Sequence, residues 1–538
     1  MVVVLSLEKN KVLFILFLPF FAGLILMVYA WWSSYPLSMD SIFDVIFNHV
    51  SLLYWVSVPL LLGSMCMISI SFKNQYVKWI AAIGIVLTIY SLSYFYYMMP
   101  GSDSQAFRGM TEYFIKTKDL DASKLGHSYF QWPSFFLLSD MATSVSGLGL
   151  ANFEFLLYTI IGFLLATGMY AYASRAYKHE GFLAVVTFFA AMFYFLNYQD
   201  VPFSLAFGLL FLLFMLETRQ KNLNVILTEL VLFTCITFTH AFVPLFFILY
   251  LLIRFMLHRS SQHGRLALMT LIIYLLVQLS QASSSFFNNI IVAFTNPSEY
   301  SSITKAILAP VSVPFDEIAQ MFSRYVTIAT IMICFAGFTI LLIKRKMRDL
   351  DIAIFLTGVV YSTVGIGLSA LGSRAIPLIF MPISLGAAYF LKTRFRPYVI
   401  ALFLVLIILF VFIPIHGTFG SSQIFFQTRV DYQTENFLID HYNWTNPSLM
   451  LAHYRVITYL EAKQPSPVRF EDDVYSPLFP RIEEYDCIVY TVGLGINLLR
   501  YNYTTDSILH ENILNVIYDA GSSYIALKSS NFTYAPTG

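Results

Sequence analysis

The sequence predicts a mainly α-helical, polytopic membrane bundle of about thirteen spans, followed by an α/β domain on the extracytoplasmic side. Three observations predict it. Of 538 residues, 58% are hydrophobic and 12% charged, where a soluble domain carries about 25% charged residues. Apolar runs of roughly the twenty residues needed to cross a bilayer recur along the chain, with basic residues gathered between alternate runs. From Ile415 the chain turns polar, with 13 Asp/Glu against 7 Lys/Arg.

The expected spans lie near 12–31, 50–71, 79–98, 153–174, 181–197, 201–216, 223–239, 241–257, 266–282, 322–343, 351–371, 375–391 and 397–414. The first run, from Lys11 to Trp32, is too long for a signal-peptide core and is read as a retained anchor. Cytoplasmic loops hold the excess of Lys and Arg. With the N-terminus inside, Lys9 and Lys11, Lys73 and Lys78, Arg175 and Lys178, Arg219 and Lys221, and Arg259 and Arg265 fall inside. So do Lys344 to Arg348 and the Lys392, Arg394, Arg396 group, while the outer loop 32–49 has no Lys or Arg. An odd number of spans places the C-terminus outside.

One apolar run, beginning at Pro133, breaks this alternation if it crosses, because every later basic cluster then moves outside. Its Asp140 and its Ser and Gly content suit a helix lying on the outer surface instead. Residues 1–414 are therefore the membrane domain, with 100–152 its first large outer loop, and 415–538 the outer domain. In that tail 487–494 and 522–528 have strand character and 448–462 helix character. It also holds the sequons at Asn443, Asn502 and Asn531. Net charge is +1, which gives no basic field for nucleic acid, and the four cysteines form neither a disulfide framework nor a metal spacing.

The loop 100–152 is the informative stretch for chemistry. Asp103 follows a span closely, so it sits near the membrane surface. Phe107, Met110, Phe114 and Ile115 recur at helical spacing, with Arg108, Glu112 and Lys116 on another face, so 103–118 is an amphipathic helix started by Ser102 or Asp103. Then come Tyr129-Phe130-Gln131-Trp132-Pro133, a second helix over 134–147, and a span closed by Arg175 and Lys178. This order resembles the GT-C glycosyltransferases, which include protein mannosyltransferases and bacterial aminoarabinose transferases. Phe238-Thr-His240-Ala-Phe-Val-Pro244 and Gly372-Ser-Arg374-Ala-Ile-Pro377 look like archaeal members of that superfamily. The likeness covers most of 79–414 and is one of architecture with short motifs.

The resemblance implies an inverting hexosyl or pentosyl transferase of the cell membrane, with a polyprenyl- or dolichyl-phosphate sugar as donor. Its acceptor would be an extracytoplasmic lipid, glycan or protein. It implies no definite cofactor and leaves a divalent metal open. Transfer to a hydroxyl needs a carboxylate to orient or deprotonate the acceptor and cations to stabilise the departing phosphate. Asp103 is the expected base. Arg374, in a very short outer loop, and Arg324, at the outer end of its span, are the expected phosphate ligands. His127, Tyr129, Trp132 and His240 are the expected substrate-binding residues.

Each has a plainer alternative. Asp103 can cap a helix, Arg374 can snorkel to lipid phosphates, and Arg324 can merely flank its span. His240 can hydrogen-bond within the bundle, His127 and Tyr129 can fix a turn, and Trp132 can anchor at the interface. Asp119-Leu-Asp121 reads as a solvated turn rather than a metal–nucleotide motif. Trp31-Trp32-Ser33 lacks the acid of the oligosaccharyltransferase motif. The rival functions are a lipid or polysaccharide transporter and an inactive scaffold. Ionisable residues falling mostly at span ends favour the enzyme over the transporter.

Overall fold

The structure is a computed structural model. It describes residues 2–35, 50–95, 102–120, 128–176, 181–192, 201–282, 317–367, 370–394, 433–434 and 437–439, with five short strands between 449 and 528. The strand side chains and those at 2–16, 102–106, 128, 317–327, 364–367, 370–374 and 392–394 lie outside that description. The helices are α1 (Val2–Ser34), α2 (Leu52–Ser71), α3 (Gln75–Ile89), α4 (Ser102–Thr117), α5 (Ser134–Ser146), α6 (Leu150–Ala176) and α7 (Gly181–Met192). They continue with α8 (Pro202–Glu217), α9 (Leu223–Thr239), α10 (Val243–His258), α11 (Ser261–Gln281), α12 (Glu317–Ile343), α13 (Asp349–Gly367) and α14 (Ala370–Arg394). Short 3-10 turns occupy Ser91–Phe95 and Ser128–Gln131.

Twelve of the thirteen expected spans fall on described helices, and the last, 397–414, lies outside the described residues. Among the described residues four helices, α1, α2, α6 and α11, are long and apolar enough to cross a membrane, and shorter apolar stretches run through seven more. Large apolar side chains face outward along them, among them Ile25, Val231 and Leu276. Apolar surface exposed along helices of spanning length suits a lipid environment, so the chain is a membrane protein. Helix α7 is buried along its whole length, between α3, α6, α12 and α14. A helix apolar on every face belongs in such a core. Helices α12 and α14 meet at Gly337 and Gly386, where a Cβ on either would land on the backbone of the other. Small residues permit that approach between membrane helices.

Hydrogen bonds define the two ends of the bundle. At one, the Tyr170 hydroxyl donates to the Gln75 carbonyl at 2.7 Å and Arg175 Nη1 to Thr218 Oγ1 at 3.0 Å. There too the Tyr172 hydroxyl donates to Asp351 Oδ1 at 2.6 Å, and His258 Nε2 lies 2.8 Å from Asp349 Oδ2. This end gathers Arg175, Arg219, Lys221, Arg259, Arg265 and Lys344 to Arg348. At the other end the Trp31 indole donates to the Tyr94 carbonyl at 2.9 Å, and the hydroxyls of Ser93 and Tyr158 lie 2.9 Å apart.

The excursion through α4 and α5 leaves and returns at this second end, since Tyr94 precedes it and Glu154 follows it there. Thirteen helical residues reach about 20 Å against a hydrocarbon core of about 30 Å. Helix α5 buries Phe135, Phe136 and Ser139 and exposes Met141 and Val145, as a helix at the bundle surface should. Gly147, at φ +69°, ends it in the left-handed conformation that glycine adopts without strain.

In the tail, β1 (Leu449–Ala452), β2 (Arg469–Asp472), β3 (Cys487–Tyr490), β4 (Leu514–Asp519) and β5 (Tyr524–Lys528) form one sheet in the order β2-β1-β3-β5-β4. Strand β1 runs parallel to β2 and β3, and β5 antiparallel to β3 and β4. Expected strands at 487–494 and 522–528 coincide with β3 and β5. The helix expected over 448–462 is corrected at its start. There β1 pairs on both edges with segments distant in sequence, an interaction that overrides local propensity. The segments between the strands lie outside the described residues.

Candidate functional site

The end opposite the basic clusters brings together three of the four residues expected to bind substrate. The rings of Tyr129 and Phe107 of α4 meet edge to face at 4.8 Å between centroids, and Tyr129 lies 6.1 Å from Trp132 and 6.3 Å from His240. Phe203, near the start of α8, closes on His240 at 5.4 Å. Trp132 packs with Ala241 and Ala282, so the turn before α5, the α9–α10 junction and the end of α11 converge. Trp132 is buried here, which replaces the interfacial-anchor alternative with a packed position. His127 lies outside the described residues.

His240 owes its place to a break between helices. It caps α9 in an extended conformation, its N–H donating to the Ile236 carbonyl, while Pro244 stands in the first turn of α10. Its Nδ1 accepts the Phe242 N–H at 3.1 Å. With Nδ1 an acceptor, the neutral ring carries its proton on Nε2 and presents a donor there. The side chain is 2% exposed.

Several polar atoms around this cluster are buried without a hydrogen-bond partner among the described residues. They are Gln131 Oε1, Trp132 Nε1 and both amide atoms of Gln278. Gln278 is 0% exposed and lies one helical turn before Ala282, which packs on Trp132. Each unsatisfied group costs about 1–3 kcal/mol, so their concentration in one place calls for an explanation. Sequence reasoning did not single out Gln131 or Gln278. The available signal was an amide within the apolar run 266–282.

Helix α4 positions the expected base. It starts at Ser102, so Asp103 stands in its first turn, one turn before Phe107. The helix is held by a buried ionic pair that the sequence did not reveal. Arg108, 7% exposed, donates from Nε to Glu112 Oε1 at 3.0 Å and from Nη1 to Glu154 Oε2 at 3.2 Å. Arg108 makes the i, i+4 contact with Glu112 that its spacing suggested and also meets Glu154, an acid near the start of α6. Glu154, a lone acid inside an expected span, was the overlooked signal. Lys118 Nζ meets Asp140 Oδ1 at 2.5 Å and ties the end of α4 to α5.

The two expected phosphate ligands change surroundings. Arg374 is not in a loop. Helix α14 begins at Ala370, and Pro377 and Pro382 are accommodated inside it. Arg324 lies in the third turn of α12, which starts at Glu317 rather than near 322. Among the described residues no three His, Cys, Asp or Glu side chains stand together as a metal site.

Comparison with protein-family models finds no match, and no curated protein matches. Among solved structures the chain is similar to the crystal structure of ArnT from Cupriavidus metallidurans bound to undecaprenyl phosphate. The two share 11% sequence identity at a TM-score of 0.47, over 84% of this chain and 98% of that one. A likeness this loose fixes neither the fold nor the site.

Proposed function

We propose that the protein is an inverting membrane glycosyltransferase that moves a monosaccharide from a polyprenyl- or dolichyl-phosphate donor to an extracytoplasmic acceptor. The observation that carries this reading is the convergence of α4, through Phe107 one turn after Asp103, and of Tyr129 on a buried cluster of aromatic rings and of polar atoms without partners among the described residues. Sugars suit such a setting, since ring faces pack on their C–H groups and amide, indole and imidazole groups meet their hydroxyls. In this reading Asp103 accepts the acceptor's proton as its oxygen attacks the anomeric carbon. The bond to the phosphate oxygen breaks on the opposite face, and the polyprenyl phosphate leaves as an anion. Arg374 and Arg324 neutralise that anion. Tyr129, Trp132, His240 and His127 hold the sugar or acceptor. The basic end of the bundle faces the cytoplasm, which puts α4, α5 and residues 415–538, an α/β domain, outside.

Topology is tested with single cysteines in a cysteine-free background. A membrane-impermeant maleimide should label positions 123 and 448 in sealed cells and leave 346 unlabelled. Labelling at 346 would invert the orientation and remove the site from the outer face.

Donor class is tested by binding in nanodiscs. Wild-type protein should bind a polyprenyl-phosphate sugar and ignore the matching nucleotide sugar. Arg374→Ala should weaken donor binding by about 1.5–3 kcal/mol through loss of a charge-assisted hydrogen bond. Arg374→Lys should recover part of it, because the charge survives and the planar fork does not. Unchanged affinity in the alanine variant would take Arg374 out of the site.

A further inference from the structure

The basic end of the bundle contains a second candidate site, unrelated to the transfer chemistry. Glu217 at the end of α8 and Glu229 in α9 are fully buried carboxylates. Lys221 binds both, 2.5 Å from Glu217 Oε1 and in direct contact with Glu229 Oε1. The Tyr250 hydroxyl donates to Glu217 Oε2 at 2.9 Å and accepts from Arg254 Nη1 at 2.9 Å. Two acidic side chains, Glu217 and Glu229, are thus matched by two basic ones, Lys221 and Arg254.

Beside this balanced knot a cavity of about 360 Å³ opens between α9 and α11, lined by Lys221, Gln262, His263 and Arg265 with Ile226, Leu266 and Met269. Arg265 is surplus charge. It has no carboxylate partner among the described residues, and its hydrogen bond is a 3.5 Å contact to Ser261 Oγ. His263 Nδ1 is buried without a hydrogen-bond partner among the described residues, while its Nε2 lies 3.9 Å from Glu217 Oε2. Gln262 and His263 belong to the first turn of α11, whose cap residue Ser260 makes no side-chain hydrogen bond to it. Uncapped N–H groups and the positive end of the helix favour an anion there. Beyond the polar mouth the walls are apolar, and Leu227 on α9 and Ile272 on α11 are exposed along the flanks, toward lipid.

We propose that this cleft binds the phosphate headgroup of an anionic phospholipid of the same leaflet, with an acyl chain laid along α9 and α11. A phosphate alone would satisfy the cations and leave the apolar flank unused, so the lipid is the better fit. Basic pockets between membrane helices suit such headgroups, each nearby cation strengthening attraction about fivefold.

The test uses the intact protein, delipidated in neutral detergent and titrated with phosphatidylglycerol or phosphatidylcholine, with retained lipid read by native mass spectrometry. Wild-type protein should prefer phosphatidylglycerol, Arg265→Gln should lose about fivefold of that preference, and Arg265→Glu should abolish it. Lys221 is left intact because its loss would strand two buried carboxylates. Arg219→Gln, at the same end of the bundle and outside the cavity lining, should change nothing. Equal retention of both lipids, or an equal loss in Arg219→Gln, overturns the proposal. Displacement of the lipid by millimolar inorganic phosphate alone also overturns it, by reducing the site to a phosphate site.

Discussion

Asp103→Asn is expected to lower sugar transfer by roughly 10²–10⁴, the usual cost of losing a general base, while donor binding is largely retained. The substitution is close to isosteric and falls in the first turn of α4. There Asn forgoes only the attraction of a carboxylate for the helix N-terminus, about 0.3–1 kcal/mol. Folding and insertion should therefore survive. If Asp103 merely starts the helix, the pattern reverses, with activity near wild type. Turnover and donor affinity measured on the same preparation separate the two outcomes. A fully active variant would leave the proposed mechanism without its base.

The second large effect is on stability. Arg108→Ala should destabilise the protein by about 3–5 kcal/mol, because it leaves the Glu154 carboxylate buried and unpaired. The double replacement Arg108→Met with Glu154→Met should cost less than Arg108→Ala alone, since no buried charge is then stranded. Thermal unfolding in one detergent, compared across the three proteins, gives the answer. If the double variant is no more stable than Arg108→Ala, the pair acts through shape rather than charge. Loss of the pair should also reduce transfer, since it frees α4 from α6.

Most of the bundle was legible because lipid imposes one rule everywhere: about twenty apolar residues per crossing and Lys or Arg on one side. That rule located the segments of the bundle helices other than α4 and α5; α4 is legible in its amphipathic spacing, and α5 is assigned to the outer surface because a crossing there would move every later basic cluster outside. It says nothing about which interior faces meet. Arg108–Glu154 and the Glu217–Lys221–Glu229 knot join residues on different helices, or across a turn, and no local pattern marks them. Arg374 was expected in a loop because the span was expected to begin at 375, whereas α14 begins at Ala370. Membrane helices tolerate interior proline, and α14 absorbs two. The error at 448–462 has another origin, since β1 exists through pairing with β2 and β3, tens of residues away. In the site, Tyr129, Trp132 and His240 were legible as residue types beside turns. Gln278 became visible only once α11 was packed against the turn before α5.

The central claim is tested most directly by following a radiolabelled polyprenyl-phosphate monosaccharide. The purified protein is reconstituted in proteoliposomes with an envelope extract as acceptor. Label should move from the donor to an extract component, free polyprenyl phosphate should appear in equal amount, and both should vanish in Asp103→Asn. Donor that crosses the bilayer intact, with no polyprenyl phosphate released, would contradict the account and identify a transporter instead.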